Sequence, residues 1–235
     1  GKPVGELFQS IDEEAIGAAS IAQVHRAVTS DGHHVAIKVL RPGIEDEFAA
    51  AISTYEWAAA QAEAIGGEFS RLRPRQVIAT FRQWTARELD LRREAASASE
   101  LAENMAALPD FLVPRIDWTR TARRVMTLEW IDGVKLSDRA GLIAAGHDPK
   151  KVASTLVLAF LRQAIVDGFF HADLHQGNLF ALPDGRIAVI DFGIMGRINR
   201  QARIWLAEII YGLLTGNYRR VAEIHFEAGY VPSHH

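Results

Sequence analysis

Residues 75–107 contain neither proline nor glycine, and this run restricts the fold more than any other stretch of the chain. Within it Phe81, Trp84, Glu88, Leu91, Ala95 and Ala98 recur at spacings of three and four, which makes one stripe of a helix. The spacing predicts a single long helix. Glu94 lies beside that stripe, three residues past Leu91.

The period changes on either side. Residues 21–28 and 33–40 read as strands joined by "SDGH", a hairpin signal. In the second strand Val35, Ile37 and Val39 alternate with Ala36, Lys38 and Leu40, so Lys38 points away from the valine face. "RPG" ends that strand, residues 45–65 are alanine-rich and helical, and "GGEFSRLRP" breaks the helix. "LVPRIDW" and "RRVMTLEWI" read as two further strands. Asp148 is the expected cap of a helix that has Pro149 at its first position, runs to Asp167 and stops at Gly168. It is apolar nearly all round and is expected to be buried. Short strands near 179–182 and 186–190 flank a "PDG" turn. After Gly193 a brief loop leads to Asn199, the cap of a helix over 200–215, and a last helix covers 218–228. This order predicts an α+β fold with a cleft and excludes a doubly wound sheet.

With 235 residues the chain can form one large domain or two lobes. It has no cysteine, which excludes disulfides, cysteine-ligated zinc and thiol catalysis and fits a reducing compartment. A net charge of −3 gives no support for nucleic-acid binding. "GKPVGELFQS" lacks the apolar core of a signal peptide. The longest apolar runs, "VASTLVLAFL" and "IWLAEIIYGLL", are too short to span a bilayer, so the chain as given is expected to be soluble.

Three signals follow one another in the order a phosphotransferase uses. The first is "GAASIAQV" followed by "VAIK", where Lys38 could reach phosphates as a point charge. In G-x-G-x-x-G-x-V register Gly17 and Val24 match, but Ala19 and Ala22 stand where glycines are usual. The second is "HADLHQGN", with Asp173 placed to orient or deprotonate an attacking hydroxyl or water and Asn178 to hold a metal ion. The third is "DFG", where Asp191 would bind the magnesium that bridges phosphate oxygens. Glu94 is the best helix partner for Lys38. Glu129 sits at a strand end where a hinge would meet adenine, through backbone groups of Glu129 and Ile131. Each signal has a plainer alternative. VAIK suits an amphipathic edge strand, DFG a turn after a strand, Glu94 a solvated helix charge, and His171 with His175 a metal-binding pair.

The site departs from an ordinary protein kinase. Ala172 replaces the arginine of H-R-D, and no A-P-E follows DFG, so a small-molecule or lipid-directed enzyme or an ATPase is expected. "GAASIAQVHRA", "VAIKVLRPGI", "ELDLRREAASASELAENM", "HADLHQGNLF" and "DFGIMGR" together resemble the UbiB family, also called AarF or ADCK kinase-like proteins. The resemblance covers essentially the whole chain. It implies a bilobal, protein-kinase-like α+β fold with a small β-rich N-lobe over 1–130, a long αC-type helix, and a mainly helical C-lobe over 131–235. It implies binding of ATP or ADP with magnesium, ATP hydrolysis or small-molecule phosphorylation, and support of ubiquinone biosynthesis. Implied partners are isoprenoid quinone precursors, quinone-biosynthesis enzymes and a membrane surface, on the cytoplasmic side of the bacterial inner membrane in the full-length protein. The family's alanine-rich loop maps to Gly17, Ala18, Ala19 and Ser20, with Val24 and Ala36 completing the nucleotide contacts. Its E-x-D motif maps to Glu88 and Asp90, and Glu94 is the partner of Lys38. The family's K-x-G-Q segment and C-terminal membrane helices are missing, which suggests a truncated chain. Alternatives are a phosphotransferase of the aminoglycoside or choline kinase type and a nucleotide-sensing scaffold.

Two geometric expectations follow. Glu88 and Asp90 sit two apart on one helix and so point to different faces, one toward the cleft and one tying the helix to a neighbouring segment. The methyl groups of Ala19 and Ala22 disfavour a flexible glycine flap and favour a tighter turn, helical at its start, with the Ser20 hydroxyl offered to phosphate oxygens.

Overall fold

The computed structural model describes residues 2–65 and 71–232. Its strands are β1 (Phe8–Ile11), β2 (Gly17–Ala18), β3 (Ala22–Thr29), β4 (His34–Leu40), β5 (Phe111–Leu112), β6 (Val125–Glu129), β7 (Val134–Lys135), β8 (Phe169–His171), β9 (Leu179–Ala181), β10 (Ile187–Val189) and β11 (Met195–Arg197). The backbone divides into two units, Gly1–Ala98 with Arg115–Trp130 and Ser99–Pro114 with Ile131–His235. Segment 99–114 therefore leaves the expected N-lobe for the second unit. The reason is pairing: β5 lies parallel to β10, and Arg162 donates to the Asn104 carbonyl.

The first unit is built on an antiparallel sheet of order β1-β3-β4-β6, with β2 hairpinned onto β3. Register sets Val24, Lys38 and Met126 side by side. The alternation expected in β4 is observed. Lys38 shares a face with Ala22, Leu40, Met126 and Leu128, whereas Val35 and Ile37 join Phe8 and Ala27 in the opposite layer. Leu91 and Ala95 pack into the cluster formed on the lysine face. Removing one leucine side chain such as Leu91 from water contributes about 1.5–3 kcal/mol.

The single long helix is not observed. One helix spans Pro74–Glu88, a second Leu91–Met105, and Leu89 leaves the helical path at φ −81°, ψ 11°. Side-chain geometry gives the reason. Leu89 and Leu91 are two residues apart and would point to different sides of one helix, yet both are buried in the same cluster. Breaking the helix between them lets both enter the core. Only the second half of the expected stripe faces inward: Leu91, Ala95 and Ala98 are buried, while Trp84 is 61% exposed. The helix Ile44–Ile65 pairs with Pro74–Glu88 through Glu56 and Arg82 at 2.6 Å. The break expected at "GGEFSRLRP" falls largely on residues 66–70, outside the described residues. "LVPRIDW" contributes only the end of β5 and a bridge at Ile116. Asp117 instead caps the short turn Trp118–Arg120 by accepting the Thr119 and Arg120 amides.

The second unit carries a sheet of order β5-β10-β9-β7 and a separate pair, β11 with β8, that the sequence reading missed. Its helix starts as expected, with the Asp148 carboxylate accepting the Lys150 amide and Pro149 in the first turn. It runs as α-helix over Pro149–Leu161, widens into a π-helical turn over Arg162–Asp167 and stops at Gly168, φ 69°. It is not buried all round, since Val157 and Leu158 are 56% and 59% exposed. Arg203 donates to the Ile165 and Val166 carbonyls and so satisfies acceptors that the helix end leaves open. Asn199 caps Arg200–Thr215 by accepting the Ala202 amide, and a final helix covers Tyr218–Glu227. Among the described residues no helix is long and apolar enough to cross a membrane.

Candidate active site

Lys38 enters its site because β4 alternates, and Glu94 because the break at residues 89–90 sets the start of its helix. Lys38 Nζ donates to Glu94 Oε1 at 2.6 Å, with side chains 13% and 9% exposed. An ion pair this sheltered is weakly screened and loses little to solvent competition. Glu94 is therefore the lysine's partner, and the solvated-charge alternative is set aside.

The alanine loop is extended. Gly17 pairs with Val24 and Ala18 with Gln23, the Ala19 amide donates to the Ala22 carbonyl at 2.9 Å, and Ser20–Ile21 form the tip. None of these residues has a positive φ, so the methyls at Ala19 and Ala22 meet no backbone strain. The expected helical start at Ser20 is absent, because pairing of β2 with β3 keeps the segment in a hairpin. Arg41 Nε donates to the Ala19 carbonyl at 3.1 Å and anchors the tip. Ala36 lies opposite Leu128 in the sheet. Glu129 ends β6, and its amide already donates to the Arg115 carbonyl at 2.9 Å. Ile131, the other residue whose backbone was expected to meet a base, opens the second unit.

Asp173, Asn178 and Asp191 all lie in the second unit. The β9–β10 hairpin sets Leu179 opposite Val189, and the Ile190 amide donates to the Asn178 carbonyl at 3.1 Å. Asn178 and Asp191 thus flank the same end of one ladder. Asn178 Nδ2 reaches the Asp173 carbonyl at 3.5 Å, which turns its amide oxygen away as an acceptor. Asp191 Oδ1 accepts the Gly193 amide at 3.2 Å. One amide oxygen and one carboxylate at the same end of a ladder suit a magnesium ion whose other ligands are phosphate oxygens and water. Among the described residues no group of three or more His, Asp or Glu could hold a metal without such help.

His171 joins the two loops. Its Nδ1 accepts the Asp173 amide at 3.1 Å, its Nε2 donates to the Asp191 carbonyl, and its own amide donates to Gln163 Oε1 at 3.0 Å. With both ring nitrogens engaged, His171 is unavailable to a metal, and the paired-histidine alternative is corrected. Burial holds its pKa below the ordinary imidazole value, so the ring is neutral. Gln163, inside the π-helical turn, was missed from sequence; a polar "RQ" within an apolar helix was the available signal.

Glu88 and Asp90 do not share a helix. Asp90 precedes Leu91, and its Oδ1 accepts the Arg92 amide at 3.2 Å while Arg92 Nε and Nη2 approach at 2.8 and 2.6 Å. It caps the helix that carries Glu94. Its hydrogen bonds are local, to Arg92, and Arg123 of the segment before β6 adds a weaker charge attraction; Glu88 ends the preceding helix.

The model of the ABC1 atypical kinase-like domain matches residues 1–225. A probable protein kinase UbiB of Xylella fastidiosa is 39% identical over 240 residues, covering all of this chain and 44% of that protein. Its counterpart in Xanthomonas euvesicatoria is 40% identical over 244 residues, covering 99% of this chain and again 44% of the relative. The chain thus spans less than half the length of these curated relatives. Among solved structures, Rv3197 of Mycobacterium tuberculosis, described in complex with erythromycin, is 30% identical with a TM-score of 0.67, over 97% of this chain and 57% of that one.

Proposed function

Because the chain belongs to the ABC1 atypical kinase-like family, and within it to the UbiB proteins, we propose that it binds ATP with magnesium. We further propose that it uses the γ-phosphoryl group, by hydrolysis or transfer to a small lipid phenol, in support of ubiquinone biosynthesis. The observation that carries this reading is the sheltered Lys38–Glu94 pair at 2.6 Å. A lysine fixed by a buried carboxylate is a preorganised phosphate contact, with its ordering cost met before substrate arrives.

The other roles follow from the donor set. Lys38 binds phosphate oxygens and Glu94 orients it. The hairpin tip around Ala19 and Ser20, with Gly17, Ala18 and Val24, borders the phosphates, and Ala36 with the Glu129 and Ile131 backbone borders the base. Asn178 and Asp191 would hold magnesium, which would supply neutralisation of charge on the phosphoryl oxygens. Asp173 orients the attacking hydroxyl or water and accepts its proton. His171 carries no proton to substrate, because both of its nitrogens serve the backbone. Ala172 leaves no arginine to receive an activation-loop phosphate, and this favours a small acceptor over a protein. Quinone precursor lipids, the enzymes that act on them and a membrane surface are the partners of this reading, at the cytoplasmic face of the bacterial inner membrane.

The test is magnesium-dependent ATP hydrolysis measured with and without a phenolic quinone precursor and anionic liposomes. Stimulation by the phenol or the liposomes supports the reading. Phosphate transfer to an amino alcohol or sugar would replace it with an aminoglycoside- or choline-kinase-like activity. Nucleotide binding without turnover, unchanged in Asp173→Asn, would replace it with a scaffold.

A further inference from the structure

The roles above leave the second histidine of "HADLHQGN" unused. His175 Nδ1 accepts the Gly177 amide at 3.0 Å and so caps the short turn Gln176–Asn178. A ring nitrogen that accepts an N–H bears no proton, so the neutral ring keeps its hydrogen on Nε2. Nε2 lies 3.9 Å from Asp173 Oδ2. The ring is seated against glycine: a Cβ on Gly177 would lie 2.8 Å from Cε1 and 2.9 Å from Nδ1. Gly177 has no positive φ, so room for the imidazole, and not backbone freedom, is what requires glycine there.

We propose that His175 is a positioning residue for Asp173. One nitrogen fixes the ring to the loop, and the other turns its N–H toward Oδ2. The Asp173 side chain is 45% exposed. Closing the 3.9 Å gap needs only a side-chain adjustment, as is common before substrate is bound. Held at Oδ2, the carboxylate presents Oδ1 to the hydroxyl or water whose proton it accepts. The inference rests on the phosphotransfer reading of Asp173.

The division of labour between the two nitrogens supplies the experiment. In His175→Asn the amide oxygen reaches the Nδ1 position and keeps the Gly177 contact, but nothing reaches Asp173. In His175→Gln the amide nitrogen reaches the Nε2 position. The expected result with magnesium-ATP is a kcat loss of about 10- to 100-fold in the Asn variant, with KM within about twofold, and recovery of most of that loss in the Gln variant. A Gln variant no better than Asn, or kcat and KM moving together in both, would overturn the assignment. The wild-type ring is read independently by 15N chemical shifts, where an Nε2–H tautomer is expected and an Nδ1–H tautomer would overturn it without any activity measurement. Absence of turnover in wild-type protein would instead remove the phosphotransfer reading, and with it the catalytic part of this assignment.

Discussion

Asp90→Ala should destabilise the helix that carries Glu94 and weaken nucleotide binding, although Asp90 touches no nucleotide in this account. The Asp90 carboxylate accepts the Arg92 amide at 3.2 Å, and losing such a cap costs about 1 kcal/mol, within a range of roughly 0.5–2. The paired Arg92 side chain is 57% exposed, so its ion pair is screened by solvent and adds little. The expected total is about 1–1.5 kcal/mol, or a melting shift of roughly 2–6 °C for a chain of this size. Because the helix begins three residues before Glu94, a frayed first turn lowers the fraction of molecules in which Glu94 is seated on Lys38. The same free energy weakens ATP affinity by up to about tenfold. Asp90→Asn keeps an oxygen for the Arg92 amide and should recover most of the stability. Arg92 holds the Asp90 carboxyl below its ordinary pKa, so this contribution is present above pH 4 and is lost on further acidification. Chemical denaturation and nucleotide titration of the three proteins are the assays. An Ala variant indistinguishable from wild type, or an Asn variant as unstable as Ala, would refute the capping argument.

Three further outcomes follow. Gly196→Ala should cost about 1–3 kcal/mol, because a Cβ at Gly196 would collide with the Phe170 ring opposite it in β8; an unshifted melting point would contradict that packing. Arg120 bonds Asp117 at 2.6 Å and Asp31 at 2.7 Å and is mostly sheltered, so Arg120→Met should cost about 1–2 kcal/mol. A Thr29 hydrogen bond, with Arg120 assisting, lowers Asp31 to about 2, so the stabilisation is intact above pH 4 and fades toward pH 2, which acid denaturation of wild type and variant will show. Ala19→Gly should loosen the hairpin tip by about 0.5–1 kcal/mol and alter the preference between ATP and ADP; unchanged affinities for both would make the alanines incidental.

Much of this site was legible because its residues are placed by local rules. Alternation alone put Lys38 on the correct face of β4, and the "PDG" hairpin brings Asn178 and Asp191 to one end of a ladder. Asp148, Asn199 and Gly168 act as the helix signals they resemble. What the sequence did not disclose depends on packing between distant segments. A run without proline or glycine predicted one helix, but burying Leu89 and Leu91 together outweighed helical continuity, and Asp90 became a cap. The pairing of β8 with β11 and the move of segment 99–114 to the second unit rest on long-range partners that periodicity does not report. Ala19 and Ala22 raised a question about strain that only backbone angles could answer, and the extended hairpin contains none.

The proposed roles are phosphate contact by Lys38, seated by Glu94, and magnesium binding by Asn178 and Asp191. Their most direct test is ATP affinity measured with and without magnesium in wild type, Lys38→Met and Asp191→Asn. Magnesium should tighten ATP binding by wild type, Lys38→Met should weaken binding in either condition, and Asp191→Asn should abolish the magnesium dependence. Affinity indifferent to magnesium in wild type, or a magnesium dependence that survives in Asp191→Asn, would contradict them.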